Sequence, residues 1–271
     1  FVSSVTLTDM YGYMTYLSRE RVLHQNSDAS GYGLNAASRA RKIATIRSFY
    51  KYLTNKVHLI KENPVKDLDS PKLKKTLPKY LTLEESVQLL ASVDGQNRER
   101  DYCILTLFLN CGLRISELCA LNTTDIQDDA LRVLGKGNKV RIVYLNDACK
   151  EALNGYLAVR RPIVGRDQNA LFLSSRDERV SRSTVHALVK KHLGEAGLDS
   201  TQYSAHKLRH TAATLMLQNG VDVKAVQEVL GHEHLNTTEI YTHIDNEALR
   251  VAAKANPLSR VKPPKKNKAG K

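Results

Sequence analysis

His206, Arg209, His232 and Tyr241 fall within one short segment, HKLRHTAATLMLQNGVDVKAVQEVLGHEHLNTTEIY. Two imidazoles and a guanidinium can bind and neutralise a phosphate, and a tyrosine can attack one. Upstream, CGLRISEL adds Arg114 and LGKGNKVRIVYL adds Lys136. A phosphodiester under in-line attack gains negative charge on its non-bridging oxygens. Arginines bind two such oxygens with a planar fork and stay charged. Arg114 and Arg209 would clamp the phosphate, with His232 as a third donor. A phenol with a pKa of about 10 is mostly protonated at neutral pH. His206 is the candidate to take the Tyr241 proton, and Lys136 the candidate acid for the leaving 5′-hydroxyl. Lys139 or Arg141 could be that reactive group instead, and the sequence allows either. Fixed cations would then do the work of metal ions. The set implies no cofactor and no metal.

Spacing supports this reading. His206 and Arg209 stand three apart on a helical pattern, which puts them on one face. Arg114 and Glu117 share that spacing. Glu117 could orient a basic neighbour; an ordinary surface salt bridge is equally open. A phosphotyrosyl bond conserves the energy of the broken phosphodiester. A second hydroxyl can attack it, so strands can be cut and rejoined. The chemistry leads to recombination or topoisomerisation.

The elements that must position these residues are mostly helical. VTLTDMYGYMTYLSRERV and LNAASRARKIATIRSFYKYLTNK have apolar residues at helical spacing. In the second, Arg39, Arg41, Lys42, Arg47 and Lys51 share a helix with Ile43, Ile46, Phe49, Tyr50 and Leu53, so one face can pack while another meets phosphate. Residues 67–79 are proline- and lysine-rich and suit an extended linker. Lys72, Lys74 and Lys75 could follow a DNA backbone there. Thr82 and Glu85 form a capping-box pattern. DYCILTLFLNC is apolar enough for a buried helix, broken at Gly112. ALRVL and KVRIVYL alternate as strands joined by a glycine-rich turn, with Lys139 and Arg141 on the second. A short strand is expected at 170–173. Helices are expected at 183–197, up to Gly220, and from Asp222 to Gly231. A last one is expected in DNEALRVAAKA.

Composition sets the frame. The chain has 271 residues, room for two domains, and 42% hydrophobic content, ordinary for a globular protein. No apolar run is long enough for a membrane span. Forty-one Lys and Arg against 28 Asp and Glu give a net charge of +13, which favours a polyanionic partner. Cys103, Cys111, Cys119 and Cys149 form no CxxC pair and read as buried free thiols. That implies a reducing, cytoplasmic compartment.

In CGLRISEL, LGKGNKVRIVYL, HKLRHTAAT and LGHEHLNTTEIYTH, and in their order, the chain resembles the tyrosine recombinase/integrase family, Xer-like and phage-integrase-like members above all. The resemblance runs from Leu7 to about Ala255. It implies a mainly α fold with a small antiparallel β-sheet, arranged as a two-domain C-shaped clamp. A helical core-binding domain (1–66, with its first helix missing) would be followed by a linker (67–79), an α/β catalytic domain (80–256) and a basic tail (257–271). It also implies that Arg114, Lys136, His206, Arg209, His232 and Tyr241 are catalytic. The implied partners are double-stranded DNA carrying a specific recombination site and a homo-tetramer on two sites, with room for a second recombinase or a directionality factor. LRVAAKANP would be the segment exchanged between neighbours. The implied reaction is site-specific cutting and rejoining through a 3′-phosphotyrosine, for integration, excision or chromosome dimer resolution. The rivals are a type IB topoisomerase, a catalytically silent DNA-binding protein of this fold, and a metal phosphohydrolase using His206, His210, His232 and His234.

The charge generates a direct expectation. DNA affinity should fall steeply and log-linearly with salt, because many Lys and Arg displace counterions. A flat salt response in a binding titration would contradict the basic surface.

Overall fold

The computed structural model describes residues 2–20, 33–73, 79–135, 139–165, 167–231 and 246–264. The chain divides into two compact units, Phe1–Leu77 and Pro78–Lys271.

The first unit is built on α1 (Leu7–Arg19) and α2 (Ala36–Asn55). Thr6 starts α1: its hydroxyl accepts from Asp9 N–H at 3.2 Å, and the Asp9 carboxylate accepts from Thr6 N–H at 2.8 Å. Ile43, Tyr50, Val65 and Leu68 form the core between α2 and the chain that follows it. Arg41, Arg47 and Lys51 are exposed, while Arg39 and Lys42 are half-buried. Arg47 also donates to the Leu68 carbonyl, fastening the segment after α2. Phe49, expected on the packed face, is instead about half exposed. It adjoins Tyr50, and only one of two neighbours on a helix can face the core. Lys72 is exposed, whereas Lys74 and Lys75 lie outside the described residues.

The second unit is assembled around α4 (Arg98–Cys111), in which every residue from Arg100 to Cys111 is buried. A helix without a polar face must be surrounded. Its neighbours are α3 (Leu83–Ala91), α6 (Asp147–Val159), α8 (Ala205–Gln218) and the turn Pro257–Arg260. Arg100, Asp101 and Asn110 are buried polar groups on α4, and each is paired. Arg100 and Asp101 are 2.8 Å apart, and the other Asp101 oxygen is 3.0 Å from buried His192 on α7 (Arg182–Glu195). Asn146 donates to Asn110 at 2.8 Å and to the Ala253 carbonyl at 3.1 Å. Asn256 donates to the Leu109 carbonyl at 3.0 Å. Through these two asparagines, α10 (Asn246–Lys254) and the turn after it are anchored on the central helix. LRVAAKANP, expected as an exchanged segment, here packs on its own unit, with Ala252, Ala253 and Asn256 buried.

A three-stranded antiparallel sheet lies beside the helices: β1 (Ile126–Gln127), β2 (Ala130–Leu134) and β3 (Val140–Tyr144). Arg132 pairs with Ile142 and Val133 with Arg141. Gly135 N–H donates to the Lys139 carbonyl at 2.8 Å, closing the hairpin around residues 136–138. Strand alternation points Leu131, Val133 and Val143 inward. Arg141 shares the face of Val143.

The strand expected at 170–173 is absent as such. Isolated bridges join Asn122 to Ala170 and Leu173 to Arg179. The segment is held mostly by side chains. Phe172 stacks on Tyr156 at 5.3 Å, and Arg160 donates to the Ala170 and Leu171 carbonyls. Helix α6 was not legible beforehand; Asn146 caps it, accepting from Cys149 N–H at 3.1 Å. All four cysteines are buried thiols. No described helix is long and apolar enough to cross a membrane.

Asn146→Ala should leave two buried acceptors unpaired and cost about 1–3 kcal/mol. Denaturant midpoints read that loss. Amide exchange should quicken at 249–258 specifically, and unchanged exchange there would show that Asn146 does not anchor the segment.

Candidate active site

Arg114 stands directly before α5 (Ile115–Ala120), on the short loop that Gly112 opens at the end of α4. Gly112 takes the left-handed conformation, φ 58°, and a Cβ there would come within 2.4 Å of Leu230 Cδ2. Leu230 ends α9 (Val223–Leu230), so this glycine lets the ends of α4 and α9 meet.

Where they meet, one carboxylate is surrounded by guanidiniums. Glu117 accepts from the Arg114 backbone N–H at 2.8 Å and from the Arg114 guanidinium at 2.7 Å. Arg141 grips both Glu117 oxygens, at 2.8 and 2.9 Å. Arg209 approaches to 3.9 Å. Three guanidiniums thus share one carboxylate, and the excess positive charge suits an anion. Glu117 is only 4% exposed. The alternative of an ordinary surface salt bridge is therefore corrected: this pair is buried and branched.

Electrostatics follow the geometry. Burial by itself pushes the Glu117 carboxyl up. The Arg141 fork and the Arg114 backbone and side-chain bonds outweigh it and pull the pKa down to about 2. Burial, then repulsion from Arg114, lowers Arg209 to about 10, against the attraction of Glu117. Arg209 still carries its charge at neutral pH.

Arg209 is buried on α8. It donates to the Gly112 and Leu230 carbonyls, each at 2.6 Å, using two of its five N–H donors. Arg114 donates to the Gly231 carbonyl at 3.0 Å. Both arginines therefore hold the end of α9, one residue before His232. His206, one turn from Arg209, is exposed while Arg209 is buried, so the two share a helix but not an environment. His210, one turn on from His206, meets Tyr80 edge-on. Burial, then Lys207 and His206, pulls its pKa down.

Lys136, His232 and Tyr241 lie outside the described residues, as does His234. Lys139 is exposed at the hairpin turn. Arg141, weighed from sequence as the reactive group or a DNA contact, bonds Glu117 with both terminal nitrogens. What sequence reading missed was this role, together with the close approaches at Gly112 and Gly231. The signal for Arg141 was available: it occupies an inward strand position, where a charged side chain needs a buried partner.

The phage integrase family profile matches residues 79–248. The chain is 52% identical over 260 residues to "Tyrosine recombinase XerC" of Caldanaerobacter subterraneus subsp. tengcongensis, covering 96% of this chain and 70% of that one. This chain belongs to the tyrosine recombinase/phage integrase family. Among solved structures, XerA recombinase superposes with a TM-score of 0.54 at 30% identity, over 92% of this chain and 82% of that one. XerH site-specific recombinase, solved bound to its difH substrate, superposes with a TM-score of 0.64 at 24% identity, over 93% of this chain and 71% of that one, and shows the shared fold. The chain is a tyrosine recombinase, an enzyme that cuts and rejoins DNA.

Glu117 makes stability depend on acid. Its folded pKa is depressed from the ordinary 4.5 to about 2, so its contribution is complete above pH 4.5 and fades as the pH falls towards 2. Glu117→Gln should flatten that part of the stability–pH curve in urea melts. An unchanged acid slope would show that the carboxylate is not held by the arginines.

Proposed function

We propose that this recombinase is Xer-type and acts on one specific DNA site through Tyr241. The observation that carries the reading is the arginine pair. Arg114 and Arg209 are charged, joined through Glu117 and fastened to the chain that leads to His232.

The scissile phosphate sits between the two guanidiniums, with His232 adding a donor. Tyr241 Oη attacks phosphorus while His206 takes the phenolic proton. The bond to the 5′-oxygen breaks, and Lys136 protonates that oxygen. A 3′-phosphotyrosine and a free 5′-hydroxyl result. In the second step a 5′-hydroxyl of the partner strand attacks, its proton returns to Lys136, and Tyr241 leaves with a proton from His206. Fixed cations stabilise the phosphorane charge in both steps. Phosphodiester bonds broken and formed are equal in number, so no nucleotide hydrolysis is needed.

Residues 1–66 act as the core-binding domain and 80–256 as the catalytic domain, joined by 67–79. Basic residues of α2, with Lys72 and the 74–75 pair, supply phosphate contacts; Lys139 supplies another at the hairpin. The enzyme works as a tetramer on two sites, in the cytoplasm. The likeness to XerC supports chromosome dimer resolution as the biological task.

Wild-type protein and Tyr241→Phe, incubated with source-genome DNA in EDTA and stopped with SDS, test this. The wild type should yield protein–DNA adducts at a few recurring sequences. Tyr241→Phe should yield none, with DNA affinity little changed. Adducts without sequence preference would replace recombination by topoisomerase activity, and adducts with Tyr241→Phe would remove Tyr241 as nucleophile.

A further inference from the structure

We propose that Arg141 is a positioning residue of the strand-exchange centre, one that grips Glu117 and backs Gly231 so as to set Arg114 and the chain entering His232, without itself meeting the scissile phosphate. This rests on the recombinase reading above.

The first support is directional. Arg141 spends both terminal nitrogens on Glu117, at 2.8 and 2.9 Å, in the two-pronged geometry that fixes a carboxylate's plane. With that plane fixed, the same carboxylate can take the Arg114 guanidinium in one orientation only, at 2.7 Å. The second support is exposure. The Arg141 side chain is 16% exposed against 37% for Arg114, so of these two it is Arg114 that reaches solvent, where a phosphate arrives. The Arg141 Nε is buried and has no hydrogen-bond partner among the described residues.

The third support is a contact that no charge argument predicts. A Cβ built on Gly231 would lie 2.9 Å from Arg141 Cδ, 3.0 Å from Nε and 3.1 Å from Cζ. The guanidinium is therefore laid flat on this glycine, which has a left-handed φ of 65°. The Gly231 carbonyl is taken by Arg114 at 3.0 Å. One residue is thus held from two sides by two arginines that share one acid. Arg141 touches the hairpin, Glu117 and the end of α9 together. A slack Arg141 would let both the Arg114 fork and the entry to His232 drift, and a misplacement of about 1 Å is enough to cost on the order of 100-fold in rate.

The charged groups facing Glu117 are Arg114 before α5, Arg141 on β3 and Arg209 on α8. Removing Arg141 leaves one close partner, so the carboxyl should titrate higher. Two readouts on Arg141→Gln and Arg141→Lys test the idea. The first is the 13C titration of the Glu117 carboxyl in protein without DNA, assigned by its loss in Glu117→Gln. Arg141→Gln should move the titration up by about one unit or more. Arg141→Lys, which keeps the charge but not the fork, should fall between that variant and the wild type. The second is cleavage of a suicide DNA substrate at saturating protein. Arg141→Gln should be about 100-fold slower, with affinity and salt slope little changed. The double variant Arg141→Gln/Glu117→Gln should be no slower than the slower single one, because both act along one route.

If Arg141→Gln lowers affinity, reduces the salt slope by about one and leaves the Glu117 titration alone, Arg141 is a phosphate contact and the proposal is overturned. If the Gln variant does not fold, the Lys variant decides by the same two readouts. A wild type that forms no adduct would sink the recombinase mechanism, while the Glu117 titration would still judge the grip of Arg141.

Discussion

The site depends on one buried carboxylate. Glu117 is the sole acid within reach of Arg114, Arg141 and Arg209 among the described residues, and it lies almost wholly out of water. Three like charges this close repel. An uncompensated buried guanidinium is costly, and removing one partner of such a cluster destabilises strongly. Glu117 lowers the repulsion enough for the three to coexist, yet leaves them in excess. That residue of positive charge is what a phosphodiester can complete. The protein thus stores an unfinished ion cluster, three guanidiniums around one carboxylate.

The fold keeps that cluster in register by fixing its supports. Helix α4 is buried along nearly its whole length, so its end cannot move without disturbing the core. Gly112 turns the chain at that end, and Arg209 reaches across to the Gly112 carbonyl. The same guanidinium takes the Leu230 carbonyl at the end of α9. Helix C-termini carry unpaired carbonyls and partial negative charge, so an arginine there satisfies backbone and field together. From the far side, Asn146 and Asn256 pin the segment after Tyr241 to α4. The described chain on both sides of the 232–245 stretch is thus fastened to one structure.

The first unit carries a different kind of information. Its core of Ile43, Tyr50, Val65 and Leu68 is small, and its exposed arginines and lysines lie on the outside of α2. Arg47 shows why a basic residue cannot be assigned to DNA by charge alone, since it also holds the Leu68 carbonyl. A guanidinium with five donors can do both, but only packing reveals the first task.

Much of this protein was legible in its residues. The order of CGLRISEL, the hairpin, HKLRHTAAT and the LGH-to-tyrosine segment carried the family. Helical periodicity, the Thr82–Glu85 cap and the glycines at 112 and 231 placed most elements, because these signals act over a few neighbouring residues. The 170–173 strand failed for the converse reason: its carbonyls are taken by side chains of Arg100 and Arg160, which no local pattern reveals. Helix α6 was missed although its buried face, Ala148, Cys149, Ala152, Leu153 and Tyr156, keeps helical spacing; three of those five side chains are small and weakly apolar. In the site, the sequence named Glu117 and Arg141 but not their bond, which joins α5 to β3. Only the tertiary structure decided that Glu117 is buried, that Arg141 is spent on it, and that two glycines seat α9 against the arginines. Types and spacing fix what each side chain is able to do; which partner it meets depends on the packing of elements far apart along the chain.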